Sequence, residues 1–347
     1  MISYGFTQSL SDYSLFSYTV SGVQLHVLIY VDDMIISGSD VTAVETFKRY
    51  LSSCFHMKDL GVLKYFLGIE VARSATGISL CKRKYALDII AECGLLGGRP
   101  AAFLMEPNHK LGSSTSAPLE DGERYRRLVG RLIYLSFTRP DIAYAVHILS
   151  QFLQDPLQDH WDAALRVVRY LKNSPGQGIL LRSDSDLQLI GWCDSDWASC
   201  PITRRSVSGW VVFLGGSLVS WKTKKQNTVS RSSAEAEYRA MAALICEVKW
   251  LKGLLACLGV VHASAVQVYS DSQSALHLAH NPVFHERTKH IEIDCHFIRD
   301  AIRDETVVAS HVSTSSQLAD IFTKPLGKQQ FETLMRKLGI CDLHAPT

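Results

Sequence analysis

The stretch LQLIGWCDSDWASCPITRRSVSGWVVFLGGSLVSWK, residues 187–222, decides the fold of the second half of the chain. It reads as three strands, LQLIGWCD (187–194), SGWVVFLGG (208–216) and SLVSWK (217–222), rich in apolar and aromatic residues and parted by turn formers. The segment after it changes period. In AEAEYRAMAALICEVKWLKGLLACLG (234–259), Met241, Leu244, Val248, Leu251 and Leu255 recur at helical spacing and define one apolar face. Strand VQVYSD (266–271), helix SALHLAH (274–280), helix TKHIEIDCHFIRDAIRD (288–304), strand VVASHV (307–312) and helix SQLADIFTK (316–324) follow. Three strands followed by alternating helices and strands predict a mixed five-stranded sheet with helices packed on it, an α/β layer over residues 185–326. Residues 327–347 read as a C-terminal tail.

Upstream, residues 83–184 carry helical spacing. KRKYALDIIAECGL stops at Gly94, and YRRLVGRLIYLSF, PDIAYAVHILSQFL with Pro140 in its first turn, and WDAALRVVRYLKNSPG come after a Pro/Ser/Gly-rich stretch. NSPGQG (173–178) is the strongest turn signal in the chain. Residues 1–82 read mainly as strands: LHVLIY (25–30), MIISG (34–38), KYFLGIEVA (64–72) and GISLC (77–81), with a helix at 41–55. Apolar, β-rich flanks put Asp32 and Asp33 at a hairpin tip. The first half is therefore α+β in character and the second α/β.

The 347 residues are 47% hydrophobic and 20% charged, the composition of an ordinary globular protein. With a formal net charge of +2, any contact with nucleic acid must use local basic clusters rather than a global field. Nine scattered cysteines without a C-x-x-C pair suggest neither a disulfide framework nor a zinc ribbon, and fit a reducing compartment. The N-terminus lacks the build of a secretory signal. Acids and lysines interrupt every greasy window. The expectation is an intracellular protein, cytoplasmic or nuclear, with no membrane partner.

Four acids stand where chemistry would need them. Asp194 and Asp271 each end an apolar strand, where a carboxylate is costly unless it meets a cation or donor. Glu237 lies four residues before Met241 and shares the helix face that packs on the sheet. Glu235 is off that face, directed to solvent or the helix start, and Ser232-x-x-Glu235 fits a capping box. Asp320 sits near the start of the last helix. Asp196 is second choice for the first position, its alternate-residue spacing being read as aiming it away from Asp194. Taken singly, each acid also has a plain reading: a turn former, a snorkelling or dipole-favoured acid, or a solvated first-turn residue.

Between Asp196 and Glu235 lie Arg204, Arg205, Lys222, Lys224, Lys225 and Arg231 and no acid, with Trp210 and Trp221 among them. Such a cluster suits phosphate neutralisation without sequence preference, while a lysine-protected sheet edge would also account for Lys224 and Lys225. His277, His280, His285, His290 and His296 with Cys295 match no standard zinc spacing and read as surface or substrate-facing positions.

The contexts W-C-D-S, A-E-Y-R-A, Y-S-D-S-Q-S-A and Q-L-A-D, ordered on strand, helix, strand and helix, resemble a ribonuclease H active site. GWCDSDWASCPITRRSVSGWVVFLGG, SWKTKKQNTVSRSSAEAEYRA, NPVFHERTKHIEIDCHFIR and QLADIFTKPL narrow the resemblance to copia-type LTR retrotransposon Pol polyproteins, over essentially the whole chain. The resemblance implies two-metal hydrolysis of the RNA strand of an RNA–DNA hybrid. It implies Mg²⁺, with Mn²⁺ as a substitute, on Asp194, Glu237, Asp271 and Asp320, and His311 as the histidine that helps product leave. Y-V-D-D (30–33) resembles the catalytic hairpin of a reverse transcriptase palm, FLGIEV its primer-gripping hairpin, and the helices of 83–184 thumb and connection elements that contact template–primer duplex. Association with other Pol or Gag products is a further implication. A catalytically idle relic that binds nucleic acid, and a fragment of a full Pol polyprotein, are the alternative readings.

That palm takes a third metal-binding Asp from an upstream strand. Asp12 is the only acid before Asp32, and its context, SDYSLF, does not match. Asp32 and Asp33 are thus expected to form an incomplete polymerase site. This chain alone should not extend a primer on an RNA template with Mg²⁺ or Mn²⁺; robust extension in a primed-template assay overturns that expectation.

Overall fold

The computed structural model describes residues 1–107, 109–281 and 292–342. The chain forms two compact units, one of residues 1–64 with 247–263, the other of 65–246 with 264–347. The expected boundaries at 82, 184 and 326 are not where these units divide.

In the first unit, β1 (Thr7–Gln8), β2 (Leu15–Val20), β3 (Val23–Tyr30) and β4 (Asp33–Gly38) form an antiparallel meander, followed by α1 (Val41–Cys54). Asp40 caps α1, its carboxylate accepting from the Ala43 amide at 2.7 Å. Phe47 and Leu51 of α1 pack on Phe6, Leu25 and Val27, with Tyr4, Tyr18 and Tyr50 around them. Residues 247–263 join through polar contacts: Trp250 Nε1 donates to the Ser11 carbonyl at 2.8 Å and the Ser17 hydroxyl to the Cys257 carbonyl at 2.8 Å.

The second unit begins with β5 (Tyr65–Phe66), β6 (Ile69–Ser74) and β7 (Gly77–Cys81), then α2 (Arg83–Glu92), α3 (Gly122–Leu135), α4 (Ala143–Ser150) and α5 (Gln158–Leu171). The segment read as one strand over 64–72 is broken at Leu67 and Gly68, both with positive φ, so it is a tight hairpin. The helices share one core, including Ile89, Tyr125, Leu132, Leu149, Trp161 and Val168. NSPGQG runs straight into β8 (Gln177–Arg182), a strand the turn signal concealed. β8 pairs with β7 on one side and with β14 (Ile340–Asp342) on the other, in a sheet ordered β14-β8-β7-β6-β5. The tail expectation therefore fails for residues 328–342. α9 (Lys328–Lys337) and β14 bury Leu334, Met335, Leu338 and Ile340, and an apolar face of that size needs a partner.

The decisive stretch forms β9 (Leu189–Asp196), β10 (Val207–Leu214) and β11 (Ser217–Lys225). The long helix α6 (Ser233–Cys257), β12 (Val266–Ser270), α7 (Gln273–His280), α8 (Glu292–Arg303) and β13 (Val307–His311) follow. The sheet is ordered β11-β10-β9-β12-β13, with the first three strands antiparallel and β12 and β13 parallel to β9. Gly191 lets α6 approach closely: a Cβ there would stand 3.0 Å from Leu244 Cδ1. Gly209 does the same for the segment carrying Asp320, because a Cβ would meet Phe322 Cβ and Thr323 Cγ2 at 2.7 Å. That segment is a single 3-10 turn, Leu318–Phe322, rather than the predicted helix. Five residues with buried polar contacts at both ends leave no room for more.

A buried ion pair ties the helices to β8. Asp141 Oδ2 accepts from Arg139 Nη2 at 2.7 Å, the Tyr170 hydroxyl at 2.9 Å and Gln177 Nε2 at 2.9 Å, while Arg139 Nη1 donates to the Ser174 carbonyl at 2.9 Å. Removing one partner strands the other charge in the interior, which typically costs about 3–5 kcal/mol. Asp141→Ala is expected to lower unfolding stability by about that much, measured by urea denaturation of the full chain.

Candidate metal centre

β9 carries Asp194 through the middle of the sheet, opposite Gly209 of β10, and α6 lays Glu237 over it. Asp271 follows directly on β12, the strand parallel to β9. One carboxylate oxygen from each of Asp194, Glu237 and Asp271 lies within 4.8 Å of the others, and this is the metal-capable cluster found among the described residues. Asp194 and Glu237 are buried and Asp271 is partly so. Glu237 Oε1 accepts from the Ser195 amide at 3.1 Å, whereas Oε2 is buried with no hydrogen-bond partner. Asp271 Oδ2 accepts from the Thr314 hydroxyl at 3.0 Å.

Asp320 is drawn in by a residue that sequence reasoning left unassigned. Lys324 Nζ donates to Asp320 Oδ1 at 2.7 Å and to Asp194 Oδ1 at 3.2 Å, and the Thr323 hydroxyl donates to Asp194 Oδ2. Gln330 Nε2 reaches Asp320 Oδ2 at 3.5 Å. The signal was available: Lys324 follows Asp320 by four residues within DIFTKPL, the spacing at which side chains meet on a helical turn.

Crowding and burial act together on these acids. Glu237 is pushed up to about 9, first by burial and then by the charges of Asp194 and Asp271. Asp320 is pushed up to about 6 by burial and Asp194, against Lys324. Burial also raises Asp194, opposed by Lys324 and Thr323. At Lys324 burial disfavours the charge, but Asp194 and Asp320 outweigh it and hold the ammonium above the usual lysine range. A cluster of hard oxygen donors, one of them an orphaned buried atom, fits a hard divalent cation.

Asp196 requires a correction. Residues two apart in a strand share a face, so Asp196 is not aimed away: burial raises it, Lys324 lowers it and Asp194 raises it. Glu235 is buried rather than solvent-facing. It holds the helix start, with its amide donating to Ser232 Oγ at 3.2 Å and its carboxylate accepting from the Arg231 amide at 2.8 Å and Arg239 Nη2 at 2.9 Å. His311 is exposed at the end of β13, paired with Ser270 beside Asp271. His277, His280 and His296 are exposed and Cys295 buried, while His285 and His290 lie outside the described residues.

Of the basic residues, Arg204, Arg205, Lys222, Lys224 and Arg231 are exposed. Lys225 is engaged inward, donating to Gln151 Oε1 at 2.7 Å and contacting Cys200 Sγ at 3.2 Å. Trp210 is buried, and Trp221 is half-buried, with Nε1 donating to the Ser136 carbonyl at 3.2 Å. In the other unit, Val31 and Asp32 form the tip between β3 and β4, Asp33 opens β4, and both acids are exposed. Val31 has φ 52°, a left-handed conformation that a β-branched residue rarely adopts. No third acid among the described residues joins Asp32 and Asp33 in a metal-capable group.

The strand order, the helix laid across it and the buried acids define a ribonuclease H-like layer, accompanied by reverse transcriptase-like segments. A family profile described as "Reverse transcriptase (RNA-dependent DNA polymerase)" matches residues 1–107. The chain is 42% identical over 98% of its length to the Retrovirus-related Pol polyprotein from transposon RE2 of Arabidopsis thaliana, covering 23% of that protein. It is 30% identical, over 70% of its length and 80% of the relative, to the putative transposon Ty5-1 protein of Saccharomyces cerevisiae. Among solved structures, it is similar to LC11-RNase H1 in complex with RNA/DNA hybrid, with TM-score 0.31, 14% identity, and coverage of 39% of this chain and 94% of that one. The chain belongs to the copia-type Pol polyprotein family of retrotransposons. It spans about a quarter of the curated polyproteins it matches first.

In the absence of divalent cations, Glu237 and Asp320 have folded values above their unfolded ones and bind more protons folded than unfolded, so the stability they contribute falls as pH rises from about 4 to about 9. The burial-lowered His147 acts in the opposite sense below about 6.5. Melting curves in EDTA are expected to show Glu237→Gln gaining stability relative to the unsubstituted chain as pH rises from about 5 to about 9.

Proposed function

We propose that the chain is an RNA–DNA hybrid ribonuclease that hydrolyses the RNA strand with two Mg²⁺ ions. The observation that carries this reading is the convergence of Asp194, Glu237 and Asp271 from three separate elements, with Glu237 Oε2 buried and unpartnered. Asp194, Glu237, Asp271 and, on the Lys324 side, Asp320 would hold the ions. Bound cations of this kind stabilise the attacking water and the leaving oxygen of an in-line displacement. The protein supplies the rest. The sheet and α6 fix the carboxylates and keep bulk water from one side of them. His311 is assigned to helping the cleaved strand leave, supported by its exposed position opposite Ser270 and beside Asp271.

The substrate is held by Arg204, Arg205, Lys222, Lys224 and Arg231 through backbone phosphates, while RNA–DNA discrimination rests on groove shape and ribose hydroxyls. Affinity without marked sequence preference and with strong salt dependence follows. Lys225 contributes through the fold rather than through phosphate. The Y-V-D-D hairpin and the helical block are assigned to template–primer contact. Polymerisation by this chain alone is not proposed, because Asp32 and Asp33 have no third acid among the described residues.

Purified protein with Mg²⁺ is expected to cut the labelled RNA strand of a hybrid and to leave matching duplex DNA intact. Asp194→Asn and Asp271→Asn are each expected to lower the rate by at least about 100-fold, with hybrid affinity changed little. Binding without cutting by the unsubstituted chain, at any Mg²⁺ or Mn²⁺ concentration, selects an idle relic instead.

A further inference from the structure

The acidic cluster is not symmetrical. Asp194, Glu237 and Asp271 bring their oxygens within 4.8 Å of one another, but Asp320 is outside that group and reaches it through Lys324. Asp194 belongs to both sides. It is one of the three acids and also one end of the Asp194–Lys324–Asp320 bridge. In a two-cation site, a carboxylate common to both halves is where both ions meet. The ammonium of Lys324 thus stands on the half bounded by Asp194 and Asp320.

The backbone that carries Lys324 is held in place. The Thr323 and Lys324 amides both donate to the Asp320 carbonyl, at 3.1 and 3.0 Å, closing a turn that projects the lysine back over Asp320. The Thr223 hydroxyl donates to the Phe322 carbonyl at 2.8 Å and Gly209 gives the turn room against β10, so the turn is anchored on the sheet. The stem of Lys324 is about two-thirds buried, and its charge faces two carboxylates that are almost wholly buried.

We propose that Lys324 is a built-in counter-ion that occupies the Asp194–Asp320 half of the centre, so that one divalent cation binds readily among Asp194, Glu237 and Asp271 and the second must displace the ammonium. This deepens the ribonuclease reading and rests on it. A fixed positive charge within hydrogen-bond reach of two of the ligands repels a second divalent cation directly, an effect that is strong in a partly desolvated site. It also explains how the fold tolerates Asp194 and Asp320 together before any metal arrives. Lys324 acts here as a positioning and gating group, not as a group that touches the scissile bond.

The test is Mn²⁺ titration of the full chain by calorimetry and by the electron paramagnetic resonance signal of free Mn²⁺, on the unsubstituted protein, Lys324→Met, Lys324→Gln and Lys324→Arg. The unsubstituted chain is expected to bind one Mn²⁺ and to take a second with affinity at least about tenfold weaker, a gap of about 1.4 kcal/mol. Both neutral variants should close that gap, and Lys324→Arg should keep it. In EDTA the neutral variants should melt below the unsubstituted chain, and Mn²⁺ should abolish that difference. Two equal sites in the unsubstituted chain, or an unchanged or weakened second site in whichever neutral variant folds, overturns the counter-ion role while leaving the metal centre standing. No Mn²⁺ bound by any of the four proteins overturns the metal centre itself, and the counter-ion proposal with it.

Discussion

Negative charge packed into a protein interior must be answered, and the second half of this chain is organised around that demand. Asp194 lies on the central strand of its sheet, flanked by an antiparallel neighbour and a parallel one, and is almost wholly buried. Left alone it would cost several kcal/mol or take up a proton. The fold instead surrounds it with Glu237, Asp271 and Asp320, which worsens the imbalance, and supplies one hydroxyl and one ammonium in reply. An arrangement with more buried acid than buried base is poor for stability and good for holding cations. The same residues that make the apo protein uneasy are those that give it a place for metal.

The scaffold pays attention to distance at this point. Gly191 and Gly209 sit on adjacent strands of the sheet, and each removes the one carbon that would hold a neighbouring element off. Through the first, α6 comes close enough for Glu237 to reach the Ser195 amide beside Asp194; through the second, the Asp320 turn rests on β10. Protein interiors resist even a single added methyl when the neighbours cannot move. Here the close approach of helix and turn is what turns four dispersed acids into a cluster with one shared member.

The helical block and α9 support that cluster from the same compact unit. The Arg139–Asp141 pair locks the helices to β8, and β8 in turn carries β14, whose preceding helix α9 presents Gln330 to Asp320. The Trp221 indole and the Lys225 ammonium, which in sequence belong to a basic, aromatic stretch, are spent on the Ser136 carbonyl and on Gln151 of this block. What remains outward on β11 is Lys222 and Lys224, two residues apart and hence on one face, with Arg204, Arg205 and Arg231 exposed on the connections. A charge count overstates the surface available to phosphate by the residues that packing recruits.

Much of this could be read before any coordinates. Apolar alternation and turn chemistry located β9, β10 and β11, and helical periodicity located α6 and the side of it that carries Glu237, because these are local properties of consecutive residues. The family likeness of long motifs supplied the four acids as a set. Packing decided the rest. Whether Asp320 joins the other three depends on a five-residue turn whose place is set by Gly209, distant in sequence. Whether Lys225 faces phosphate or protein depends on Gln151, and whether residues 328–342 are tail or structure depends on the open edge of β8. Asp196 shows the reverse case, since the two-residue strand period by itself places it on the Asp194 side. Sequence determines what each segment prefers locally, the Asp320–Lys324 pair at four-residue spacing included; which of the distant charges meet is decided by contacts between residues scores of positions apart, and no local preference encodes those.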